Sequence, residues 1–434
     1  ADPAERAQMS RRAGANVVPS GRKCRVERAD MRNGLSAASH RASIGPAESP
    51  RGTNPRPRTV DAMAADRDDF ARDSDSGAPD DLVDWELAVN TARRLMRPSP
   101  DVSREQARRT VEELRACAST AEGHVRAYTQ LHAESATAPV LVVDRAGWVQ
   151  ANADGFREVL RPLITKLRAR RGEPGPLSLA IGSRVTGVEA GALLAYLSNK
   201  VLGQFDPFFS GNAGPGEASH GGRLLLVAPN IVHVERELEV DPHDFRLWVC
   251  LHEETHRVQF TAVPWLRHHL LGEMTQLIES TELDPQKLAR MMRDGAERAS
   301  RLLRGDPDVS LLDILQTPEQ KATVERLTAV MSLLEGHADV VMDGVGPDVV
   351  PSVESIRKKF TKRRAGAGPV DQLVRRLLGF DAKLRQYRDG AVFVRGVTAK
   401  VGIEGFNAVW ASPENLPAKD EIADPGAWVA RVHG

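Results

Sequence analysis

Residues 252–256 read His-Glu-Glu-Thr-His, inside the stretch Leu-Trp-Val-Cys-Leu-His-Glu-Glu-Thr-His-Arg-Val-Gln-Phe. Two histidines four apart on a helix point the same way, about one turn apart, so both imidazoles can reach one metal ion. The helix itself is legible. Asp241-Pro242 reads as an N-cap followed by proline at the first helical position, with Asp244 in the first turn. Phe245, Trp248, Val249, Leu251, Thr255, Val258 and Gln259 continue a helical pattern with an apolar side, and Pro264 stops it. The motif is therefore expected mid-helix, on a helix that buries itself. Glu253 follows the first histidine, where a carboxylate can take a proton from a metal-bound water. Two neutral nitrogen ligands, a Lewis acid and a base are the parts of a zinc hydrolase. The bland alternative is a pair of buried histidines bonded to core carbonyls, which leaves Glu253 and the carboxylates described next unexplained.

A catalytic zinc takes three protein ligands and leaves a fourth position open. A metzincin pattern would put glycine at 259 and histidine at 262; this chain has Gln259 and Ala262, which excludes that class. A downstream glutamate is the other common solution, and the best candidate lies in Leu334-Glu335-Gly336-His337-Ala338-Asp339. Thr317-Pro318-Glu319-Gln320 reads as a capping box opening a long helix. Val324, Leu327, Met331, Leu334, Ala338 and Val341 form its apolar stripe, and Gly344 is expected to end it. Glu335 and Asp339, four apart, share a face. Glu335 is assigned as the third ligand, and Asp339 as acceptor of the second ring N–H of a zinc-bound histidine. His337 sits roughly 200° around the helix from Glu335 and cannot easily reach the same ion. The alternative for the carboxylate pair is a charged patch on a helix edge.

With both helices placed, the chain resembles the gluzincin branch of zinc metallopeptidases, which carries His-Glu-x-x-His and then Glu-x-x-x-Asp on a second helix. His252, Glu253 and His256 match the first motif; Glu335 and Asp339 match the second. The spacing departs from that branch. Glu335 follows His256 by 79 residues, much farther than in thermolysin-like members, and an inserted helical segment must fill the gap. A closer resemblance is to a bacterial family of zincin-like proteins described as candidate hydrolases associated with deazaflavin-coenzyme biosynthesis. Val83-Asp84-Trp85-Glu86-Leu87-Ala88, Leu141-Val142-Val143-Asp144-Arg145-Ala146-Gly147-Trp148, Leu224-Leu225-Leu226-Val227-Ala228-Pro229-Asn230, Pro264-Trp265-Leu266 and Lys383-Leu384-Arg385-Gln386-Tyr387 carry it. The resemblance implies a predominantly helical α+β fold, a zincin-like catalytic domain with a small sheet beside the His-Glu-x-x-His helix. It also implies a zinc-dependent metallohydrolase, peptidase-like, with no assigned substrate. The coenzyme link is an association and implies no biosynthetic step.

The 434 residues carry 59 basic and 59 acidic side chains, and a neutral chain has no basic field with which to hold nucleic acid. Cys24, Cys117 and Cys250 are scattered, without Cys-x-x-Cys spacing, as expected of free thiols in a reducing cytoplasm. No apolar run is long enough to span a bilayer, and the first residues lack a signal-peptide core. Residues 1–78 are rich in Ala, Arg, Ser, Gly, Pro and Asp and poor in large apolar side chains, so they are expected to be disordered. Residues 79–434 are expected to form the catalytic domain, with a helical N-terminal part at 79–138 and the catalytic core at 139–434.

Along that domain, Leu82 to Met96 is amphipathic, and Ser103-Arg104-Glu105-Gln106 is a capping box for the next helix. Val140 to Val143 reads as a short strand, Ala190 to Val201 as helix, and Gly211 to Gly222 as a mobile loop. Arg223 to Val234 reads as a strand or hairpin turning at Pro229-Asn230. That segment is a candidate for the free edge on which zincins lay an extended peptide, and an ordinary core strand fits it equally well. Residues 265–304 and 369–432 read as further helices. The charge run Arg357 to Arg364 reads as a solvated helix end or loop, with an anionic partner as the alternative.

These readings converge on a zinc hydrolase for a peptide or small amide, with Zn2+ held by His252, His256 and Glu335 and with Glu253 as general base. Tyr387, His337 and His269 are unranked candidates for stabilising the oxyanion. A non-catalytic protein stabilised by zinc, a hydrolase of small amides, and a helical binding protein without metal are the competing readings.

Overall fold

The computed structural model describes residues 83–133, 138–171, 176–210, 221–280, 317–365 and 380–434. Residues 1–78, most of the 211–222 loop, and 281–304 lie outside the described residues. Asp84 caps α1 (Trp85–Leu95) through its side chain. Ser103 and Gln106 close both arms of the expected capping box on α2 (Arg104–Thr129). There follow β1 (Val140–Val143), α3 (Arg145–Arg171), α4 (Pro176–Ser198), β2 (Gly203–Ser210) and β3 (Gly221–Val227). Helices then dominate: α5 (Ala228–Leu238), α6 (Pro242–Ala262), α7 (Pro264–Ser280), α8 (Pro318–Val345), α9 (Val353–Ala365) and α10 (Phe380–Phe406). Short 3-10 turns at Asn407–Trp410 and Pro413–Asn415 lead to α11 (Lys419–Ala423) and α12 (Pro425–His433). This is a predominantly helical α+β domain with one small sheet.

The sheet order is β1-β3-β2, with β3 in the centre. β1 runs parallel to β3, pairing Val140 with Leu224 and Val143 with Val227. β2 runs antiparallel, pairing Gly203 with Leu226 and Asp206 with Arg223, and its register breaks between Asp206 and Ser210. Pro207 falls in that break, as proline must in a strand whose ladder needs N–H donors. The run Leu224-Leu225-Leu226-Val227 is wholly buried because both faces of the sheet are covered. Leu225 and Val227 pack on Trp85, Val89, Trp148 and Leu194. Leu226, on the opposite face, joins the main core built around α2, α6, α8 and α10. A central strand covered on both sides reads as a continuous apolar run rather than an alternating one.

Two expectations for this region change. β3 is paired along both edges, so it offers no free edge; among the described residues β2 pairs with β3 alone. The hairpin at Pro229-Asn230 is instead the first turn of α5. Proline in a first helical turn lacks only an N–H that would have no partner there. Ile231, Val234 and Leu238 then recur at helical spacing on the buried side. Asn230 is no turn residue: its amide donates to the carbonyls of Ser198 and Val201, and its Oδ1 accepts from Arg145 Nε at 2.7 Å.

α6 packs against α2, α5, α8 and the sheet. Asp241 caps it, accepting from the Asp244 N–H at 3.0 Å, and it runs to Ala262 before Pro264 opens α7. Buried ion pairs lock it to its neighbours. Arg246 reaches Glu235 of α5 and Glu113 of α2. Arg257 donates to Glu254 at 2.6 Å, to Glu122 of α2 at 2.8 Å and to the Ala138 carbonyl at 2.7 Å. Burial outweighs the adjacent guanidinium for Glu254, whose carboxyl is pushed up to about 7. α8 begins at the expected capping box of Thr317 and Gln320 and runs one residue beyond Gly344, to Val345. Gly344 is there for packing: a Cβ on it would lie 2.1 Å from the Tyr128 ring.

Candidate metal centre

One face of α6 presents His252 and His256 to Glu335 of α8. The two Nε2 atoms are 3.3 Å apart. Glu335 Oε2 lies 3.5 Å from Nε2 of His252 and 3.9 Å from Nε2 of His256. A tetrahedral zinc with nitrogen and oxygen ligands at about 2.0–2.2 Å separates them by about 3.4 Å, so these three atoms form a zinc-sized triangle. The imidazoles stand nearly perpendicular, at 88°, which lets both lone pairs converge. Among the described residues no further His, Cys, Asp or Glu joins the cluster. The three side chains keep 27%, 13% and 23% exposure in that order, so the triangle is open on one side. Three ligands with an open side is the catalytic pattern; a structural zinc is closed by four.

Glu253 lies beside this triangle, 7% exposed. Its carboxyl is held well above the usual carboxylate range, first by burial and then by the negative charges of Glu335 and Glu254. A dication on the triangle would act in the opposite direction. The space for Glu253 is made by Gly203 at the start of β2: a Cβ there would fall 2.5 Å from Glu253 Cγ.

The second ring nitrogen of His256 has a partner that the sequence did not mark. His256 Nδ1 lies 3.0 Å from Oε1 of Gln259, a fully buried residue. Gln259 Nε2 in turn reaches the Leu334 carbonyl at 3.1 Å and His337 Nδ1 at 2.9 Å. At His256 the position expected of Asp339 for a zinc-bound histidine is held by Gln259, one turn along the same helix. Asp339 turns to α9, with its carboxylate 3.7 Å and its carbonyl 3.1 Å from Arg357. A glutamine three residues past a histidine shares its helical face, and that spacing was the signal available.

His337 does not face the open side of the triangle. It is fully buried against Phe406 and Trp410, and burial lowers it to about 3, so it is neutral. A buried ring behind Gln259 has no access to a substrate oxyanion. His269 packs on Trp265 of its own helix, and the Tyr387 side chain lies outside the described residues.

The third ligand stands next to the tightest helix crossing among the described glycines. A Cβ on Gly336 would lie 2.1 Å from the Gly390 carbonyl carbon, and one on Gly390 would lie 1.9 Å from the Ser332 oxygen. α8 and α10 thus touch backbone to backbone beside Glu335. Nothing in the sequence pairs these two glycines. The charge run follows its bland reading in part: Arg357 pairs with Asp343 at 2.5 Å, Lys359 with the Glu239 carbonyl and Arg363 with Glu237.

The chain matches the zincin-like metallopeptidase family over residues 83–429, and it belongs to that family. A solved structure from Chloroflexus aurantiacus, described as a candidate hydrolase with a novel fold, is 32% identical. That match covers 81% of this chain and 99% of the other, with a TM-score of 0.59. A search of curated proteins finds no match. The family and the structural relative place the chain among zinc hydrolases; neither carries the deazaflavin association.

Proposed function

We propose that the protein is a zinc-dependent peptidase in which Glu253 is the general base. The observation that carries this reading is the triangle of His252 Nε2, His256 Nε2 and Glu335 Oε2 with the Glu253 carboxyl at its side. Zinc held there would supply Lewis acidity to a substrate carbonyl and acidify water at neutral pH. Glu253 accepts the proton of the attacking water and passes it to the leaving nitrogen. Its seat against Gly203 holds the carboxyl in one place for both transfers. Peptide rather than small amide is supported by β2, the strand beside Glu253, whose outer side has no strand partner among the described residues. An extended chain can add to such an edge by main-chain hydrogen bonds.

No helix among the described residues is long and apolar enough to cross a membrane. Cys117 and Cys250 are free thiols, which suits the reducing cytoplasm we assign. We assign neither nucleic acid nor membrane as partner.

The test is metal content by elemental mass spectrometry, followed by a peptide-library screen with Glu253→Gln as control. One zinc per chain is expected, with peptide cleavage that falls about 10²- to 10⁴-fold in the variant while the metal stays. Cleavage of small amides alone would replace the peptidase reading, and undiminished activity of Glu253→Gln would remove the base.

A further inference from the structure

We propose that Gln259 is a positioning residue: it fixes which nitrogen of His256 faces the metal and how His256 stands relative to Glu335. This rests on the zinc reading of the triangle and adds to it.

The argument runs through hydrogen-bond polarity. The Leu334 carbonyl can only accept, so the end of Gln259 lying 3.1 Å away is the amide NH2. Its second hydrogen goes to His337 Nδ1 at 2.9 Å, which must therefore be an acceptor. The amide oxygen then faces His256 Nδ1 at 3.0 Å, and an amide oxygen only accepts. His256 Nδ1 must carry the proton, which leaves the lone pair on Nε2. Nε2 is the atom that converges on His252 and Glu335. A flipped amide would set its oxygen against the Leu334 carbonyl, two acceptors face to face, and lose that bond. Gln259 is fully buried, so free water does not substitute for these partners.

The same bond has a geometric effect. Leu334 precedes Glu335, so Gln259 ties α6 to α8 at the residue next to the third ligand. One side chain thereby sets the tautomer of one ligand and the distance to another. Carboxylates and carbonyls commonly orient metal-bound histidines; here a glutamine does so because its two ends have opposite polarity.

Two variants separate this role from simple packing. Gln259→Met keeps length and removes both polar ends. Gln259→Glu keeps an acceptor for His256 and loses the donor to Leu334 and His337. Zinc affinity measured by chelator competition should weaken about 10- to 100-fold in Gln259→Met and by clearly less in Gln259→Glu, which gives up the tie to Leu334 but keeps the acceptor for His256. A purely structural role predicts equal loss in both, and that result would overturn the proposal. Nitrogen-15 NMR of histidine-labelled, metal-free protein reads the tautomer directly. His256 should carry its proton on Nδ1 in the wild type and in Gln259→Glu, and should lose that preference in Gln259→Met. If Gln259→Met does not fold, wild-type His256 protonated on Nε2 still refutes the proposal. Wild-type protein that binds no zinc yet shows the Nδ1–H tautomer would remove the metal reading and leave this one standing. Wild-type protein that binds zinc as tightly as Gln259→Met would do the reverse.

Discussion

Gly203 and Glu253 are in contact across the junction of β2 and α6, and the space beside that glycine is filled by the glutamate side chain. A methyl group at 203 would overlap Cγ and Cδ of Glu253, at 2.5 and 2.7 Å. A backbone pressed against a carboxyl arm gives that arm one place to be, and proton transfer depends on such placement. Gly203→Ala should therefore keep its zinc and lower kcat by about 100-fold, since displacement by an ångström costs on that order. Parallel measurement of metal content and peptide cleavage checks it. Unchanged cleavage would mean that Glu253 can act from a second position.

Asp339 supplies the opposite case. Its carboxylate sits beside Arg357 and is 38% exposed, and an exposed pair of this kind is worth little. Asp339→Asn should leave zinc affinity within about threefold of wild type, since such a pair contributes roughly 0–1 kcal/mol. A loss of tenfold or more in chelator competition would return Asp339 to the metal site.

Removing the metal should soften the protein without unfolding it. The ligands come from two helices whose packing rests on an extensive buried core, so a chelator should leave the far-ultraviolet circular dichroism in place. Zinc present at about 1,000 times its Kd stabilises the fold by about 4 kcal/mol, and its removal should lower Tm by roughly 4–10 °C for a domain of this size. Loss of the helical signal on chelation would instead support zinc as a structural staple.

Cys117 gives a prediction with a pH sign. Burial, then the negative charge of Glu113, raises its thiol from the ordinary value near 9 to about 11. A group whose pKa rises on folding contributes stability that is full below the unfolded value and is lost as pH climbs through the folded one. The native protein should thus lose stability between about pH 9 and 11, and Cys117→Ala should flatten that limb. At pH 8 the thiolate is scarce. Peptide mapping after thiol alkylation should find Cys117 and Cys250 unmodified in native protein and modified in denaturant.

Much of the site was legible because it is written in local spacing. The i,i+4 histidines, the adjacent glutamate, the N-cap at Asp241 and the capping box at Thr317 all act within one or two turns of helix. Glu335 could be chosen because its helix had a readable start and stripe. Asp339 was read as the partner of a zinc-bound histidine from its spacing to Glu335; that Gln259 holds the second nitrogen of His256 was not weighed, although its i,i+3 spacing was there to read. Gly203, Gly336 and Gly390 were not legible as a group: a glycine chosen for what would collide with it depends on a partner far along the chain. The segment 228–234 was misread because Ala-Pro-Asn looks like a turn, while the helical period of Ile231, Val234 and Leu238 only emerges over a longer window. β2 passed unnoticed because Pro207, followed by Phe208 and Phe209 side by side, breaks the alternation that marks a strand.

The contact of Gly336 with Gly390 also bears on how a newly made chain matures. The ribosome releases both histidines well before Glu335, and Glu335 well before Gly390. A nascent product that stops short of residue 390 would hold two imidazoles and a carboxylate without the helix against which that carboxylate is set. It would be a loose chelator. A chain cut short of residue 390 should therefore hold zinc less tightly than the full chain, because Glu335 lacks the helix against which its backbone is set.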